Sequence, residues 1–370
     1  MSVPSWRHTS YAQQLVFGVG AIDQVPDLFR LVGAKRVLLV TTAGRLDSDD
    51  GQRLVKILGR ALVSTYAGVS SHVPAPIVQQ ALQQARRDGI DGIVSFGGGS
   101  CADLGKAVNF FFEQEQGMPG ASYADRPLLP HIAVPTTYSG AELTPFFGMT
   151  DPLTRQKSGA GGPTCAPIAA VYDPELTLGT PPRVSAETGM NALAHCVEIL
   201  WSPNRTPESE AVAEAGARRI FGVLPLVVDD PGDLTVRASM LEGAVLGGRC
   251  LQNGTMGIHH GLAQLIGGRT GIPHGLANAI VLPHAIRFNA DAVPQAIVRL
   301  QQAFGGVADP ADSVARLVDR LGLPTRLSEV GVTEDDIEAV ARMSQTNTNV
   351  RANPKPVSED DVREVLEAAF

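Results

Sequence analysis

The sequence predicts a protein of the α/β plus all-α class, with a parallel-sheet domain over residues 1–178 and a helical domain over residues 179–370. Two observations carry that reading. Apolar, β-rich runs alternate with helical patterns from residue 35 to about 113, and such alternation means parallel strands joined by helical crossovers. After Thr180, Pro181 and Pro182 the strand signals stop and long helical patterns take over.

The elements follow in order. RVLLVTT (36–42) is a strand ended by Ala43 and Gly44, ALVSTYAGV (61–69) a second, and IDGIVSFGGG (90–99) a third. PIVQQALQQARRDG reads as a helix, with Pro76 in its first turn and Gly89 at its end. SCADLGKAVNFFF, from Ser100 onward, is the helix after the third strand. The stretch HIAVPTTYSGAELTPFFGMTD and the following KSGAGGPTCAPIAAVYDPELT hold short β-type pieces broken by glycine and proline, which predicts loops and edge strands. In the second half SAETGMNALAHCVEILW, ESEAVAEAGARRIFGVLPLVV, DLTVRASMLEGAVLGGRCL, MGIHHGLAQLIGG, LANAIVLPHAIRF and PQAIVRLQQAFGG read as helices, as do EDDIEAVARMSQ and SEDDVREVLEAAF near the end.

Composition narrows the function. At 370 residues the chain is long enough for two domains. Its net charge of -8 argues against nucleic acid and against anionic membrane surfaces, while leaving room for a local basic pocket. Cys101, Cys165, Cys196 and Cys250 are scattered with no CxxC pair, so they read as reduced thiols of a cytoplasmic protein and as small buried hydrophobes. No apolar run approaches the roughly 18 residues of a membrane span, and the N-terminal stretch lacks the apolar core of a signal peptide.

Two glycine patterns compete as a nucleotide site. FGVGAID, with Gly18 and Gly20, lacks a third glycine and reads better as a turn. SFGGGSCADLGK closes an apolar strand and opens a helix. There Gly97, Gly98 and Gly99 would admit a pyrophosphate close to the backbone, and the free N–H groups and dipole of the helix would favour its charge.

The histidines form a second signal. On a helix, Asn191 and His195 of GMNALAHCVEIL stand four apart on one face. His260 and His274 lie in HHGLAQLIGGRTGIPHG, bracketed by glycines. Three imidazoles with one oxygen donor form a plausible zinc or iron set. His8, His72, His131 and His284 read as ordinary core or surface residues.

The ordered set GGGSCADLGK, PTTYSGAELT, Lys157, DPELTLGTPP, TGMNALAHCVE and HHGLAQLIGGRTGIPHGLANAIVLPH resembles the iron-containing alcohol dehydrogenase superfamily, and within it PTTYSGAELTPFFGMTD with GMNALAHCVE most resembles maleylacetate reductase. The likeness covers nearly the whole chain. It implies the dehydroquinate synthase-like fold, with a dinucleotide-binding domain before residue 178, a helical catalytic domain after it and an active site in the cleft between them. It also implies NADH or NADPH as hydride donor, a small carbonyl or enone substrate, and a homodimer. Gly98, Gly99 and Ser100 would hold the pyrophosphate, Thr136 and Thr137 would border the adenosine, and Lys157 would lie near the nicotinamide ribose. Thr41 and Thr42 stand where NAD-specific relatives often place an acid, which leaves NADPH acceptable.

The superfamily's metal-binding aspartate and three histidines fall on Asn191, His195, His260 and His274. An amide at the aspartate position matches the maleylacetate reductases, generally regarded as metal-free, and a neutral ligand weakens a divalent site. Where that subgroup tends to carry a lysine and two further histidines, this chain has Gly261, Gln264 and Asn278. A dianionic substrate wants cations, so these departures count against maleylacetate itself unless Arg249, Arg269, Arg351 or Lys355 compensates. The leading expectation is an NAD(P)H-dependent reductase of an enone or keto acid. A metal-dependent alcohol dehydrogenase, with Asn191 as a ligand to zinc or iron, is one alternative, and a non-catalytic nucleotide-binding homologue is another.

Overall fold

The structure, a computed structural model, describes residues 5–118, 126–152 and 157–370, with the side chain of Lys157 outside the description. Contacts divide the chain into two compact units, Ser10–Thr180, and Pro181–Phe370 together with residues 5–9. That short N-terminal segment is tied to the helices by reciprocal bonds with Asn253, from Thr9 N to Oδ1 at 2.7 Å and from Nδ2 to Thr9 O at 2.9 Å.

In the first unit the strands are β1 (Gln14–Phe17), β2 (Val37–Thr41), β3 (Leu62–Tyr66), β4 (Gly92–Gly97), β5 (His131–Pro135), β6 (Phe146–Thr150), β7 (Lys157–Gly161) and β8 (Ala169–Tyr172). Six of them form a parallel sheet in the order β1-β8-β5-β4-β2-β3, while β6 and β7 pair as a separate antiparallel ribbon. The helices are α1 (Val25–Val32), α2 (Ala43–Leu46), α3 (Asp49–Leu58), α4 (Ala75–Arg87) and α5 (Gly99–Glu115). All five residues of β2 are buried because both faces of the sheet are covered. Leu38 and Val40 join Leu82 and Leu104 in one core layer, and Val37 and Leu39 join Phe29 and Leu54 in the other, the alternation a pleated strand imposes.

The sheet corrects one expectation. β5 and β8 are interior strands with every residue buried, not loops or edges. Each is only four or five residues long, and the prolines that suggested interruption mark their ends: Pro135 closes β5 and Pro174 follows β8. The true edges are β3 and β1, and β1 escaped notice because its hydrogen-bonding partner is β8, far along the chain.

The helical unit comprises α6 (Pro182–Trp201), α7 (Pro207–Asp229), α8 (Leu234–Leu251), α9 (Ile258–Thr270), α10 (His274–Asn289), α11 (Pro294–Ala303), α12 (Pro310–Arg320), α13 (Glu334–Ser344), α14 (Thr348–Arg351) and α15 (Glu359–Ala368). Capping boxes start α7 (Thr206 with Ser209), α13 (Thr333 with Asp336) and α15 (Ser358 with Asp361), each satisfying two otherwise orphaned backbone donors. At the centre lies α6, buried from Gly189 to Trp201 and packed on α7, α8 and α10. Small residues allow this: a Cβ on Gly247 of α8 would stand 3.0 Å from the carbonyl oxygen of Ala192. Polar side chains on α6 are therefore held in fixed positions.

Candidate functional site

The parallel sheet changes direction between β2 and β4, since β2 leads outward to β3 and β4 leads the other way to β5. In open parallel sheets ligands settle beyond the strand ends at such a switch point. Here Thr41 closes β2 and donates from Oγ1 to Phe96 O at 2.7 Å, and Thr136 N donates to Gly97 O at 2.9 Å beyond the end of β5. Gly97 adopts φ 141, a conformation that requires glycine. No side chain caps α5, so its first N–H groups point outward unclaimed by a cap. A Cβ on Gly99 would stand 2.9 Å from Ser139 Oγ, and one on Gly98 would stand 3.3 Å from Thr137 Cγ2. The hydroxyls of Thr136 and Thr137 are buried without a hydrogen-bond partner among the described residues.

The structure thus brings together Gly97, Gly98, Gly99, Ser100, Thr136 and Thr137. A glycine cradle, an uncapped helix start and two orphaned hydroxyls fit a pyrophosphate and its sugars. Thr42 is at the same strand end, where its hydroxyl accepts from Arg45 N at 3.2 Å and caps α2. Lys157 is apart from the sheet, opening β7 opposite Thr150. Cys101, in the first turn of α5, is buried, which pushes its thiol up to about 12. It packs as a hydrophobe.

In the helical unit three helices contribute the expected histidines. His195 of α6 stacks on His260 of α9 with centroids 4.9 Å apart, and His260 lies 5.7 Å from His274 at the start of α10. His195 and His260 are buried, His274 partly so. Burial, reinforced by His260, holds the pKa of His195 well below the usual histidine range. It is a neutral imidazole at physiological pH, and its Nδ1 has no hydrogen-bond partner among the described residues.

Two residues that sequence reasoning passed over organise this cluster. Glu198 is one turn beyond His195 and fully buried. Its carboxylate accepts from Gly257 N at 2.8 Å and His260 N at 3.2 Å, and bonds closely to His260 Nδ1. His259, also fully buried, lies 3.4 Å from the same carboxylate through Nδ1, and its Nε2 lies 3.0 Å from Asn278 O. Burial opposes the Glu198 charge, but His260 and His259 outweigh it and keep the carboxyl ionised. The one available sign was a lone acid inside the apolar stretch ALAHCVEILW. Donor atoms of Glu198, His259 and His260 lie within 4.8 Å of one another, as a metal set would. They are instead bonded to each other, which fixes the orientation of the His260 ring.

Asn191 meets a partner from α10: Asn278 Nδ2 donates to Asn191 Oδ1 at 2.6 Å. The oxygen that would face a cation thus already accepts a hydrogen bond, and Asn191, His195, His260 and His274 include no anion. This set does not fit the superfamily's iron centre. The other departures are equally built in. A Cβ on Gly261 would stand 2.5 Å from Val350 Cγ2, which leaves no room for a lysine, and Gln264 Oε1 accepts from Asn349 Nδ2 at 3.2 Å. Arg249 pairs with Glu208, Arg269 with Asp336, Arg351 donates to Gln345 O, and Lys355 donates to Phe288 O while resting on that ring.

A doubly wound sheet with a glycine turn at its switch point, in a chain that also carries a helical unit with clustered imidazoles, defines a nucleotide-dependent enzyme. Residues 12–174 match the family model described as iron-containing alcohol dehydrogenase, and residues 185–370 match the C-terminal model of the Fe-containing alcohol dehydrogenase family. The chain belongs to the iron-containing alcohol dehydrogenase family, and is an oxidoreductase working with a nicotinamide cofactor. It is 35% identical over 357 residues to a maleylacetate reductase of Burkholderia cepacia, covering 96% of this chain and 95% of that protein. The crystal structure of maleylacetate reductase from Agrobacterium tumefaciens superimposes with a TM-score of 0.87 at 31% identity, covering 100% of this chain and 99% of the other. That of sulfoacetaldehyde reductase from Bifidobacterium kashiwanohense, in complex with NAD+, gives 0.89 at 26%, covering 99% of each. Among the described residues no helix is long and apolar enough to cross a membrane.

Proposed function

We propose that this chain reduces the activated double bond or carbonyl of an enone or keto acid carrying at most one carboxylate, and that it does so without a catalytic metal. The Asn278–Asn191 bond carries the reading, because it turns the aspartate position into a neutral, hydrogen-bonded amide. Similarity to maleylacetate reductases supports the reaction type. Amides and a glycine at the positions where cations are expected support a substrate with less charge than a dicarboxylate.

The nicotinamide supplies a hydride when bound. The residues of the chain hold and move the compensating charge and proton. Reduction of a conjugated ketone at its β-carbon places negative charge on the carbonyl oxygen, so hydrogen-bond donors must face that atom. His260 is suited to give up a proton from Nε2: Glu198 holds its Nδ1 and stabilises the imidazolium, as a carboxylate does in other carboxylate–histidine pairs. His195, kept neutral by burial, and His274 would orient the substrate oxygen. On the cofactor side, Gly97, Gly98, Gly99 and Ser100 would take the pyrophosphate, with Thr42, Thr136, Thr137 and Lys157 beside the sugars.

A cofactor-oxidation screen over enones, monocarboxylic keto acids, aldehydes and maleylacetate tests the reading. Faster turnover of an enone or keto monoacid than of maleylacetate is expected. A clear preference for maleylacetate would contradict the charge argument, and absence of hydride transfer to every compound would favour a non-catalytic homologue. A homodimer in the cytoplasm completes the proposal. The edge strand β1 leaves Leu15 and Phe17 exposed, and an unprotected apolar edge invites pairing.

A further inference from the structure

Arg45 is a half-buried arginine beyond the end of β2, and the described residues give it no ion pair. Its Nη2 donates to the neutral hydroxyl of Thr180 at 2.6 Å, and that hydroxyl donates to Thr136 O at 2.7 Å. Its Nη1 stands 3.2 Å from where a Cβ on Gly179 would be. The guanidinium is therefore linked through Thr180 to the backbone of Thr136, the residue that follows β5. Cys101, whose sulfur would lie 2.6 Å from a Cβ on Gly97, is within its electrostatic reach. Burial disfavours its charge, and Asp50 is the acid that most offsets this without forming an ion pair. Such a cation is costly to hold without an anionic partner.

We propose that Arg45 receives the 2′-phosphate of NADPH and gives this enzyme a preference for the phosphorylated cofactor. The inference rests on nucleotide binding at the glycine turn, as proposed above. The pyrophosphate already has the uncapped N–H groups of α5 to accept. The ribose of the adenosine half falls in such sheets at the end of the strand beside that turn, where an acid selects NAD and an arginine accommodates the 2′-phosphate. Here β2 is that strand, pairing with β4 from Val37↔Gly92 to Thr41↔Phe96. It ends in two threonines, and the arginine follows one helical turn later. A guanidinium fits phosphate oxygens through two parallel bonds.

Titration calorimetry of the full chain with adenosine 2′,5′-bisphosphate and with 5′-AMP tests this directly, alongside KM values for NADPH and NADH. The wild type should bind the bisphosphate at least about tenfold more tightly than 5′-AMP. Arg45→Gln should lose most of that margin, with KM for NADPH rising about tenfold or more and KM for NADH changing little, while Arg45→Lys, which keeps the charge, should recover part of it. An unchanged melting temperature shows that the variants are folded, and Arg45→Lys alone decides if Arg45→Gln does not fold. Equal losses for both ligands, or no loss, would overturn the assignment while leaving nucleotide binding intact. Failure of the wild type to bind either nucleotide would overturn the assignment and the nucleotide reading together.

Discussion

The glycine turn and the histidine cluster are built in opposite ways. The turn is made of backbone: a strand end, three glycines and an uncapped helix in one contiguous stretch. The cluster is made of side chains that α6, α9 and α10 carry from distant parts of the sequence. A backbone site recognises what all nicotinamide cofactors share, and it changes only where a side chain intrudes on it or reads a group beyond the pyrophosphate. A side-chain site changes its chemistry with one atom, as when an amide replaces a carboxylate at Asn191. The fold can therefore keep its cofactor while the reacting end diverges from the metal enzymes.

The largest effect should come from the cluster. His260→Ala should lower kcat by about 10²- to 10⁴-fold, the range for loss of a general acid, with KM for the cofactor unchanged. Glu198→Gln should act through His260: without the carboxylate the imidazolium is less stable, so the alkaline limb of the kcat profile should move to lower pH. A purely structural role for Glu198 would lower activity without moving that limb.

Gly99→Val should weaken cofactor binding by about tenfold or more, equivalent to ~1.4 kcal/mol, because its side chain enters the space beside Ser139. Fluorescence titration with the reduced cofactor reads this, and unchanged affinity in a folded variant would move the nucleotide elsewhere. Together with His260→Ala it separates the sites, one variant failing in binding and the other in turnover. Asn278→Ala, which removes the donor to Asn191, should cost about tenfold in kcat or less, as expected for one hydrogen bond.

The smallest effect is on stability and is shared by both units. Burial lowers the pKa of His131 in the sheet to about 3, with Lys106 adding to the shift, and burial holds that of His195 well down in the helices. When a folded histidine has a depressed pKa, the unfolded chain binds more protons, and stability falls as pH drops below the unfolded value of about 6.5. Glu198, also depressed, adds a loss at still lower pH. The melting temperature should therefore decline from pH 7.5 to 5, and less steeply in His131→Gln. A flat profile would contradict the burial of these rings.

What was legible in the sequence follows the same division. The glycine turn could be read because strand, turn and helix adjoin, so local chemistry specifies the site. The histidines could be listed, but not the acid that orients one of them: Glu198 reaches His260 across 62 positions, and the bond from Asn278 to Asn191 spans 87. Spacing cannot show a contact that depends on how three helices pack. The same limit hid β1, whose partner is remote. Helix α12 was missed differently, because PADSVARLVDRLG is a short amphipathic stretch on which no motif draws attention.

We propose that the Asn278–Asn191 amide pair has replaced a metal site. Metal content and activity, measured together on wild-type protein and on Asn191→Asp after purification without added ions, test it most directly. The wild type should hold well under one equivalent of zinc or iron and keep its activity in a chelator. Asn191→Asp should bind either metal more tightly, since it restores an anionic ligand beside three imidazoles, and should lose much of its metal-free activity. Near-stoichiometric metal in the wild type, with activity removed by a chelator and restored by the ion, would contradict the account.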